Sequence, residues 1–352
     1  MSTYDNTSHL ASQVEQLVQA AARGDLAGVQ QLLADGVDPN GRGRFGGWRA
    51  LMQAGSEEIV AALLAAGASV HHVDDLGWDA MAHALDTANA GVVRALQLAG
   101  ADVNARNRYG WTRLRQAAFM RNVPAIELLH ILGADPGLDR GKLLGAASWY
   151  ATEGHVPATE ETIEVLIALG EDVNAADEHG YTALHCAASG DAHTPSDETW
   201  WNASSDGSDL TATRTLLSHG ADPDRAGEDG FTPLLLAASS GLWADACIEA
   251  LFAGGADPNK PNLAGTTPLM QAAGRARAAN LEILLANGAD PRQRDHYGQD
   301  ALVYARRYLA GLLEEIDELQ EQPDDDRVLF LETLRPREAE ARTCIASLEA
   351  TL

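Results

Sequence analysis

Lysine is almost missing from this sequence, and cysteine is rare. Lys142 and Lys260 are the only lysines, so arginine supplies nearly all of the 25 basic residues. Together with abundant alanine, this bias indicates a GC-rich genome, and we expect a bacterial origin. The three cysteines, Cys186, Cys247 and Cys344, lie far apart and have no CxxC spacing. Their spacing argues against a disulfide framework and against a structural zinc site.

Long hydrophobic segments are also absent. No apolar run reaches the ~18 residues that a membrane-spanning helix requires. Residues 1–10 are polar and lack the basic and apolar regions of a secretion signal. We therefore expect a cytoplasmic protein that makes no contact with membranes.

Motifs of the common enzyme classes are not found. The chain has no Gly-x-x-x-x-Gly-Lys phosphate loop, no His-Glu-x-x-His zinc motif and no Gly-x-Ser-x-Gly nucleophile motif. The adjacent pair His71 and His72 lies in a polar turn, where solvated histidines are more common than metal ligands. We predict that the protein is not an enzyme and has no catalytic residue, metal or cofactor.

Negative charge is present in excess. The 51 acidic and 25 basic residues give a formal net charge of −26. Such a chain repels nucleic acids and anionic membranes and attracts cationic partners. Two interpretations remain open: the acidity selects a basic protein partner, or it keeps the chain soluble.

One short phrase recurs along most of the chain. It reads Gly-Ala-Asp-Pro or Gly-Ala-Asp-Val, often followed by Asn, with some altered copies. Successive copies are separated by 31, 33, 33, 37, 50, 35 and 33 residues. A period of this length indicates a repeat protein. The copies begin at Gly36, Gly67, Gly100, Gly133, Gly170, Gly220, Gly255 and Gly288.

A second phrase, Gly-x-Thr-Pro-Leu or a variant of it, follows most copies of the first. Its clearest form begins at Gly230. Thr is a good helix N-cap, and Pro suits the first helical position. The glycine of the first phrase suits the left-handed conformation that ends a helix. Each repeat is therefore predicted to be a helix, a short turn, a second helix and a long turn.

This pattern resembles the ankyrin repeat. The resemblance implies an all-α solenoid in which helix pairs stack into one core and the long turns project as fingers beside a groove. It also implies that His185, in the Thr-Ala-Leu-His form of the second phrase, makes structural hydrogen bonds between neighbouring turns. Protein binding, without catalysis, is the function that the family suggests.

We predict three regions along the chain. Residues 1–13 form an N-terminal tail, residues 14–307 form an array of about nine repeats, and residues 308–352 form a helical C-terminal cap. One amphipathic helix is expected to continue from Ala301 into the cap, and a second is expected to be interrupted at Pro336. We interpret the cap as a shield for the last repeat; the alternative is a separate helix that binds a partner.

Two repeats depart from the pattern. The fifth unit, residues 138–174, has lost its Gly-x-Thr-Pro-Leu phrase and carries extra residues at 148–160. The sixth unit carries a larger insertion at residues 191–208. Each insertion falls between the two helices of its repeat, so we expect the two insertions to lie side by side.

Aromatic residues recur at one position of the repeat. We call the first glycine of the second phrase the finger glycine. The residue after it is aromatic in five of seven copies, although the chain has only 19 Trp, Tyr and Phe residues. These rings either bind a partner or pack on the preceding finger and stiffen the array. Because Trp, Tyr and Arg dominate interface energies, we predict partner binding. The predicted residues at and beside this position are Trp48, Trp78, Trp111, Tyr181, Phe231, Arg108 and Tyr109.

The two insertions form a second candidate surface. They contribute Trp149, Tyr150, Trp200 and Trp201, and the second pair lies in an acidic segment. Acidic residues around tryptophans favour a basic, partly apolar partner. The alternative is that these rings fold back onto the repeats.

Together, these features predict a monomeric, non-catalytic scaffold that binds a basic protein and inhibits or neutralises it, as an immunity protein does. Nucleic acids and membranes are not expected as partners. Two alternatives stay open. The first is an adaptor or a secreted effector that binds a host protein. The second is an enzyme with a site in the insertions or the C-terminal helices.

Overall fold

The computed structural model describes residues 3–44, 46–148, 159–189, 209–241, 244–320 and 325–352. These residues form helices and turns, with no β-strand among them, which confirms the predicted all-α class. They fall into two compact units, Met1–Asp139 and Arg140–Leu352.

The first unit is a stack of short helices in chain order. Its helices are α1 (Thr3–Ala22), α2 (Leu26–Ala34), α3 (Glu57–Ala65), α4 (Ala80–Asp86), α5 (Ala90–Leu98), α6 (Arg113–Phe119) and α7 (Val123–Ile131), with 3-10 helices at Ala50–Gln53 and Pro136–Asp139. Helix α3 packs on α5, and α4 packs on α6. The 3-10 helix at Ala50–Gln53 replaces the first α-helix of the second repeat. Helix α1 extends into residues 1–13, the segment predicted as a tail.

The second unit repeats the same arrangement and ends in two longer helices. Its helices are α8 (Leu143–Ser148), α9 (Thr159–Ala168), α10 (Ala183–Ala188), α11 (Leu210–Ser218), α12 (Pro233–Ser239), α13 (Ala244–Ala253), α14 (Pro268–Gly274), α15 (Ala278–Ala286), α16 (Ala301–Gln320) and α17 (Asp325–Thr351). Helices α10, α12, α14 and α16 pack in succession, and so do α9, α11, α13 and α15.

Side-chain caps begin these helices where the sequence places Thr, Asp or Asn. The Thr232 Oγ1 accepts the N–H of Leu235 at 3.3 Å, and Asp209 Oδ1 accepts the N–H of Ala212 at 3.0 Å. Such a cap stabilises a helix by about 1 kcal/mol. At the other end, Gly288 takes the left-handed conformation (φ 90°) after α15, as predicted for the first phrase.

Asparagine side chains connect successive repeats. Asn174 donates its Nδ2 to the carbonyl of Gly220 at 3.0 Å and accepts the N–H of Asp222 at 2.8 Å. Asn259 makes the same two bonds with the repeat that follows it. In each asparagine, the side-chain N–H and C=O both bond to the turn of the next repeat. This pair of hydrogen bonds specifies how one repeat is positioned on its neighbour.

The last two helices form a pair that contacts the end of the second unit. Leu312 and Ile316 of α16 pack against Leu334 of α17, and α17 also contacts α14 and α15. Helix α17 continues through Pro336, where we expected an interruption. Because Pro336 has no N–H, the carbonyl of Glu332 lacks its helical hydrogen-bond donor. Both residues are exposed, so water can solvate this carbonyl.

Candidate protein-binding surface

Turns between the repeats share a hydrogen-bonded base. In each, one residue donates its N–H to the carbonyl of the residue after the finger glycine, over 2.7–3.0 Å. We call these turns fingers. They cover residues 43–48, 74–78 and 107–111 in the first unit, and residues 177–181, 227–231, 262–266 and 295–299 in the second.

A side chain holds most of the fingers in shape. Asn107 Oδ1 accepts the N–H groups of Tyr109 and Trp111, each at 2.9 Å. Asp177 Oδ1 accepts the corresponding N–H groups in its own finger at the same distance. This local clasp satisfies backbone donors that the turn leaves open. The fingers are therefore preformed, and the residues at their tips have fixed positions.

Backbone hydrogen bonds join consecutive fingers within each unit. The N–H of Arg108 donates to the carbonyl of Leu76 at 3.4 Å, and that of Glu228 donates to His179 at 2.9 Å. The donor in each case is the residue that follows the base of its finger, and we call it the fingertip residue. All fingertip residues are exposed. They are Arg44, Asp75 and Arg108 in the first unit, and Glu178, Glu228, Leu263 and His296 in the second.

The predicted aromatic row is not uniformly exposed. Trp48 is 40% exposed, Trp78 and Phe231 are half-buried, and Trp111 and Tyr181 are only 3% and 9% exposed. The burial of Trp111 and Tyr181 favours, for these two rings, the alternative in which they pack within the repeat array. Their contribution to partner binding stays a prediction, now with little free ring surface to support it.

Contacts within each unit explain the burial of these two rings. The Trp111 ring packs edge-to-face on Phe119 at 5.6 Å, and the guanidinium of Arg115 lies 4.2 Å from its centre. The Tyr181 hydroxyl donates to Asp229 in the next finger at 2.6 Å. Burial and this bond raise the pKa of Tyr181, so the hydroxyl stays protonated. Trp111 therefore packs on the helix of its own repeat, whereas Tyr181 joins its finger to the next one.

His185 fills the structural role that the resemblance implied. Its Nδ1 accepts the N–H of Thr182 at 3.0 Å, and its Nε2 donates to the carbonyl of Phe231 in the next finger at 3.1 Å. Only a neutral imidazole makes both bonds. Burial lowers the pKa of His185 from 6.5 to about 4, so the ring stays neutral at physiological pH.

Acid is expected to weaken the second unit through His185. The unfolded chain binds a proton near pH 6.5, whereas the folded ring resists protonation until about pH 4. Its stabilising effect is therefore complete above pH 6.5 and falls by about 3 kcal/mol as the pH drops through 4. The measurement is the free energy of unfolding by urea for wild type and His185→Gln at pH 7.5 and pH 5. The gap between them should narrow by about 2 kcal/mol, and parallel pH profiles would contradict this assignment.

The other predicted residues divide into two groups. Arg108 is exposed, and its guanidinium lies 4.7 Å from the centre of the half-buried Tyr109 ring. This pair lies at a fingertip, where a partner can reach it. The remaining four lie outside the described residues, so a second surface on the insertions stays a prediction. They are Trp149, Tyr150, Trp200 and Trp201.

Charge differs strongly between the two units. The first carries 10 basic and 15 acidic residues, a net charge of −5, and the second carries 15 and 36, a net charge of −21. Two of the three fingertip residues of the first unit are arginines, Arg44 and Arg108, and two of the four in the second unit are glutamates, Glu178 and Glu228. The net charge of the whole chain conceals this contrast, which separate sums over each unit of repeats reveal.

The described residues offer little to a small-molecule reaction. A cavity of about 220 Å³ in the second unit has no carboxylate or imidazole in its lining, which consists of Ser189, Phe231, Leu236, Ser239, Ser240, Gln271 and Arg275. Across the described parts of the chain, no group of His, Cys, Asp and Glu is arranged to hold a metal ion. Burial also raises the pKa of the Cys344 thiol to about 12, which makes it a poor nucleophile.

Comparison with known families decides what these repeats are. Three copies of the model for ankyrin repeats match residues 17–107, 48–140 and 200–295, which together cover more than half of the chain. The chain belongs to the ankyrin-repeat family. The family prediction made from the recurring phrases is confirmed. No curated protein matches the sequence of this ankyrin-repeat protein.

Family membership supports a coarse statement about function. Ankyrin repeats are scaffolds for protein–protein interaction and are generally non-enzymatic. Among the described helices of this ankyrin-repeat protein, none is long and apolar enough to cross a membrane. The fingertips are the exposed and preformed part of each unit, so they are the candidate binding surface.

Proposed function

We propose that this ankyrin-repeat protein binds a basic protein through the fingertips of its second unit and thereby inhibits or neutralises that protein. The observation that carries the proposal is the acidity of the second unit, which holds −21 of the net charge of −26. Complementary charge of this size raises association rates and rejects acidic competitors.

The fingertips of the second unit combine this charge with apolar surface. Glu178 and Glu228 are exposed, and no cation among the described residues pairs with Glu228. Glu178 accepts a hydrogen bond from Lys142 at 2.7 Å, which lowers the pKa of its carboxyl. Leu263 and Tyr297, in the fingers that follow, are 69% and 81% exposed. This mixture suits a basic partner that also presents apolar side chains.

A charge-matched pair of variants tests the proposal. Glu178→Arg/Glu228→Arg changes the fingertips, and Glu161→Arg/Glu164→Arg makes the same change in net charge on exposed positions of α9. Partners captured from native lysate by wild type and by both variants are identified by mass spectrometry, and their affinities are then measured. The fingertip variant should lose the basic partner by at least about tenfold, whereas the α9 variant should retain it.

Two outcomes would contradict this function. Equal losses in both variants would show that overall charge, and not the fingertips, holds the partner. A captured partner with an acidic surface would show that the charge argument is wrong. The activity of the partner, measured with and without the ankyrin-repeat protein, separates inhibition from the adaptor alternative, because an adaptor leaves that activity intact.

A further inference from the structure

We propose that the fingertips of the first unit bind an acidic segment of a partner protein. The surface consists of Arg42, Arg44, Trp48, Leu76 and Arg108, and we call it the arginine surface. It uses other residues and the opposite charge from the function proposed above, so it goes beyond that function and stands independently of it.

The arginines of this surface are already placed to bind a carboxylate. Asp75, the fingertip of the middle finger, pairs its carboxylate with the guanidinium of Arg42, and its main-chain carbonyl accepts a bond from Arg108. Two guanidiniums, one from the residue before the preceding finger and one from the next fingertip, thus converge on Asp75. The Arg42 and Asp75 side chains are 60% and 51% exposed, so the pair is open to solvent.

Donor capacity remains after these bonds are made. A guanidinium has five N–H donors, and Arg42 uses one of them on Asp75. Arg44 is exposed and makes no ion pair with a described residue. Two carboxylates accompany the three guanidiniums of this surface: that of Asp75, and that of Glu15, which accepts the main-chain N–H of Arg44 at 3.1 Å. One positive charge is therefore left over for salt or a partner to neutralise.

Arg108 is held in an orientation that suits recognition. Its guanidinium lies over the ring of Tyr109, 4.7 Å from the ring centre, and donates to the tyrosine hydroxyl. These contacts and the bond to the Asp75 carbonyl hold the guanidinium in place and use two of its five N–H donors, so three donors remain for a carboxylate. A pre-oriented arginine loses less side-chain entropy when it binds.

Apolar side chains lie on the same fingers. Trp48 is 40% exposed and touches the ring of His83 only at its edge, with ring centres 5.9 Å apart. Leu76, next to Asp75, is 43% exposed. A partner segment that fits this surface has acidic residues around an apolar one, so that carboxylates meet the arginines and the apolar side chain meets Trp48 or Leu76.

The net negative charge of the whole chain does not oppose this local preference at physiological salt. Exposed charges are screened beyond a Debye length of ~8 Å, so a carboxylate at the arginine surface interacts mainly with the nearby guanidiniums. The fingertips of the second unit carry Glu178 and Glu228 and no arginine. The fingertips of the first unit therefore select acidic segments, and those of the second unit select basic surfaces.

The test uses the full chain and a defined peptide. A fluorescein-labelled 16-residue peptide of Glu, Asp and Gly with a central Leu-Phe pair is compared with a copy in which Gln and Asn replace the acids. Binding is followed by fluorescence anisotropy at two salt concentrations for wild type, Arg44→Glu/Arg108→Glu and the charge-matched control Arg23→Glu/Arg94→Glu, whose two arginines are exposed away from the fingers. Far-UV circular dichroism checks that all three remain folded.

We expect wild type and the control variant to bind the acidic peptide at least about tenfold more tightly than the amide peptide, and the fingertip variant to lose that preference. Equal binding of the two peptides by wild type would overturn the proposal. So would equal losses in the two variants, or tighter binding of a 16-nucleotide single-stranded RNA than of the acidic peptide. The Glu178/Glu228 variants report separately on the basic partner, so one proposal can fail without the other.

Discussion

Replacing Arg113 by methionine is expected to destabilise the first unit by about 3–5 kcal/mol, because it leaves a buried carboxylate without its cation. Arg113 is 2% exposed, and its guanidinium pairs with Asp79 and donates to the main-chain carbonyl of Asp102. Asp79 is 8% exposed and caps α4 by accepting the N–H of Ala82 at 3.1 Å. Neither charge has ready access to water once its partner is removed.

Other repeats of the same chain supply the repair for this defect. Arg113 stands where Pro233 and Pro268 begin α12 and α14, and Asp79 stands where Thr232 caps α12. Asp79→Thr/Arg113→Pro restores the Thr and Pro of those repeats without any buried charge. Because buried ion pairs are often replaced by neutral residues at little cost, the double variant should recover to within about 1–2 kcal/mol of wild type.

Urea unfolding followed by circular dichroism gives the free energies of unfolding of wild type, Asp79→Thr, Arg113→Pro and Asp79→Thr/Arg113→Pro, with Arg113→Met measured beside them. Arg42→Met is the control, since its pair with Asp75 is more than half exposed and should contribute less than about 1 kcal/mol. If the double variant loses as much unfolding free energy as the two single variants combined, Arg113 and Asp79 act independently. That result would contradict the assignment.

Local sequence signals were sufficient for the repeat itself. The recurring glycines, the Thr and Asp caps and the apolar pattern all act within one repeat, so the helix pairs and α16 followed from them directly. The hydrogen bonds of His185 could be predicted from the resemblance, because its contacts, Thr182 and the main-chain carbonyl of Phe231, lie at fixed positions of the recurring second phrase. Each of these features depends on residues whose positions the period defines.

Features that depend on one particular neighbouring repeat could not be predicted. Arg113 reads as an altered copy of proline, and only the structure shows that Asp79, in the preceding repeat, neutralises it. Trp48 and Trp111 occupy the same position of the repeat but differ in exposure from 40% to 3%. The period identifies the position, but the particular side chains around each ring, such as Phe119 and Arg115 beside Trp111, decide how much of it is covered.

The continuity of α17 through Pro336 has a related cause. Proline within a sequence normally predicts the end of a helix, because it removes a donor and crowds the preceding turn. Burial of Leu334 at 0% exposure, close to Pro336 in the same helix, stabilises the helical conformation through packing. Tertiary contact therefore outweighs a local preference that the sequence expresses clearly.

Alanine substitutions of Trp111 and Trp48 are expected to destabilise the first unit to very different extents, although the two tryptophans are equivalent in the repeat. Trp111→Ala removes a buried ring from its contacts with Phe119 and Arg115 and should destabilise the first unit by about 3–5 kcal/mol. Trp48→Ala removes a ring that is 40% exposed and should cost less than about 1 kcal/mol of stability. Urea unfolding of the two variants measures this difference.

Binding should separate the same variants in the other direction. Trp48 lies on the arginine surface, and loss of an exposed aromatic anchor typically weakens an interface by about 2 kcal/mol. Trp48→Ala is therefore expected to bind the acidic peptide at least about tenfold less tightly than wild type, with its fold intact. If Trp48→Ala unfolds as readily as Trp111→Ala, the whole aromatic row is structural. Recognition by the first unit then depends on its arginines alone.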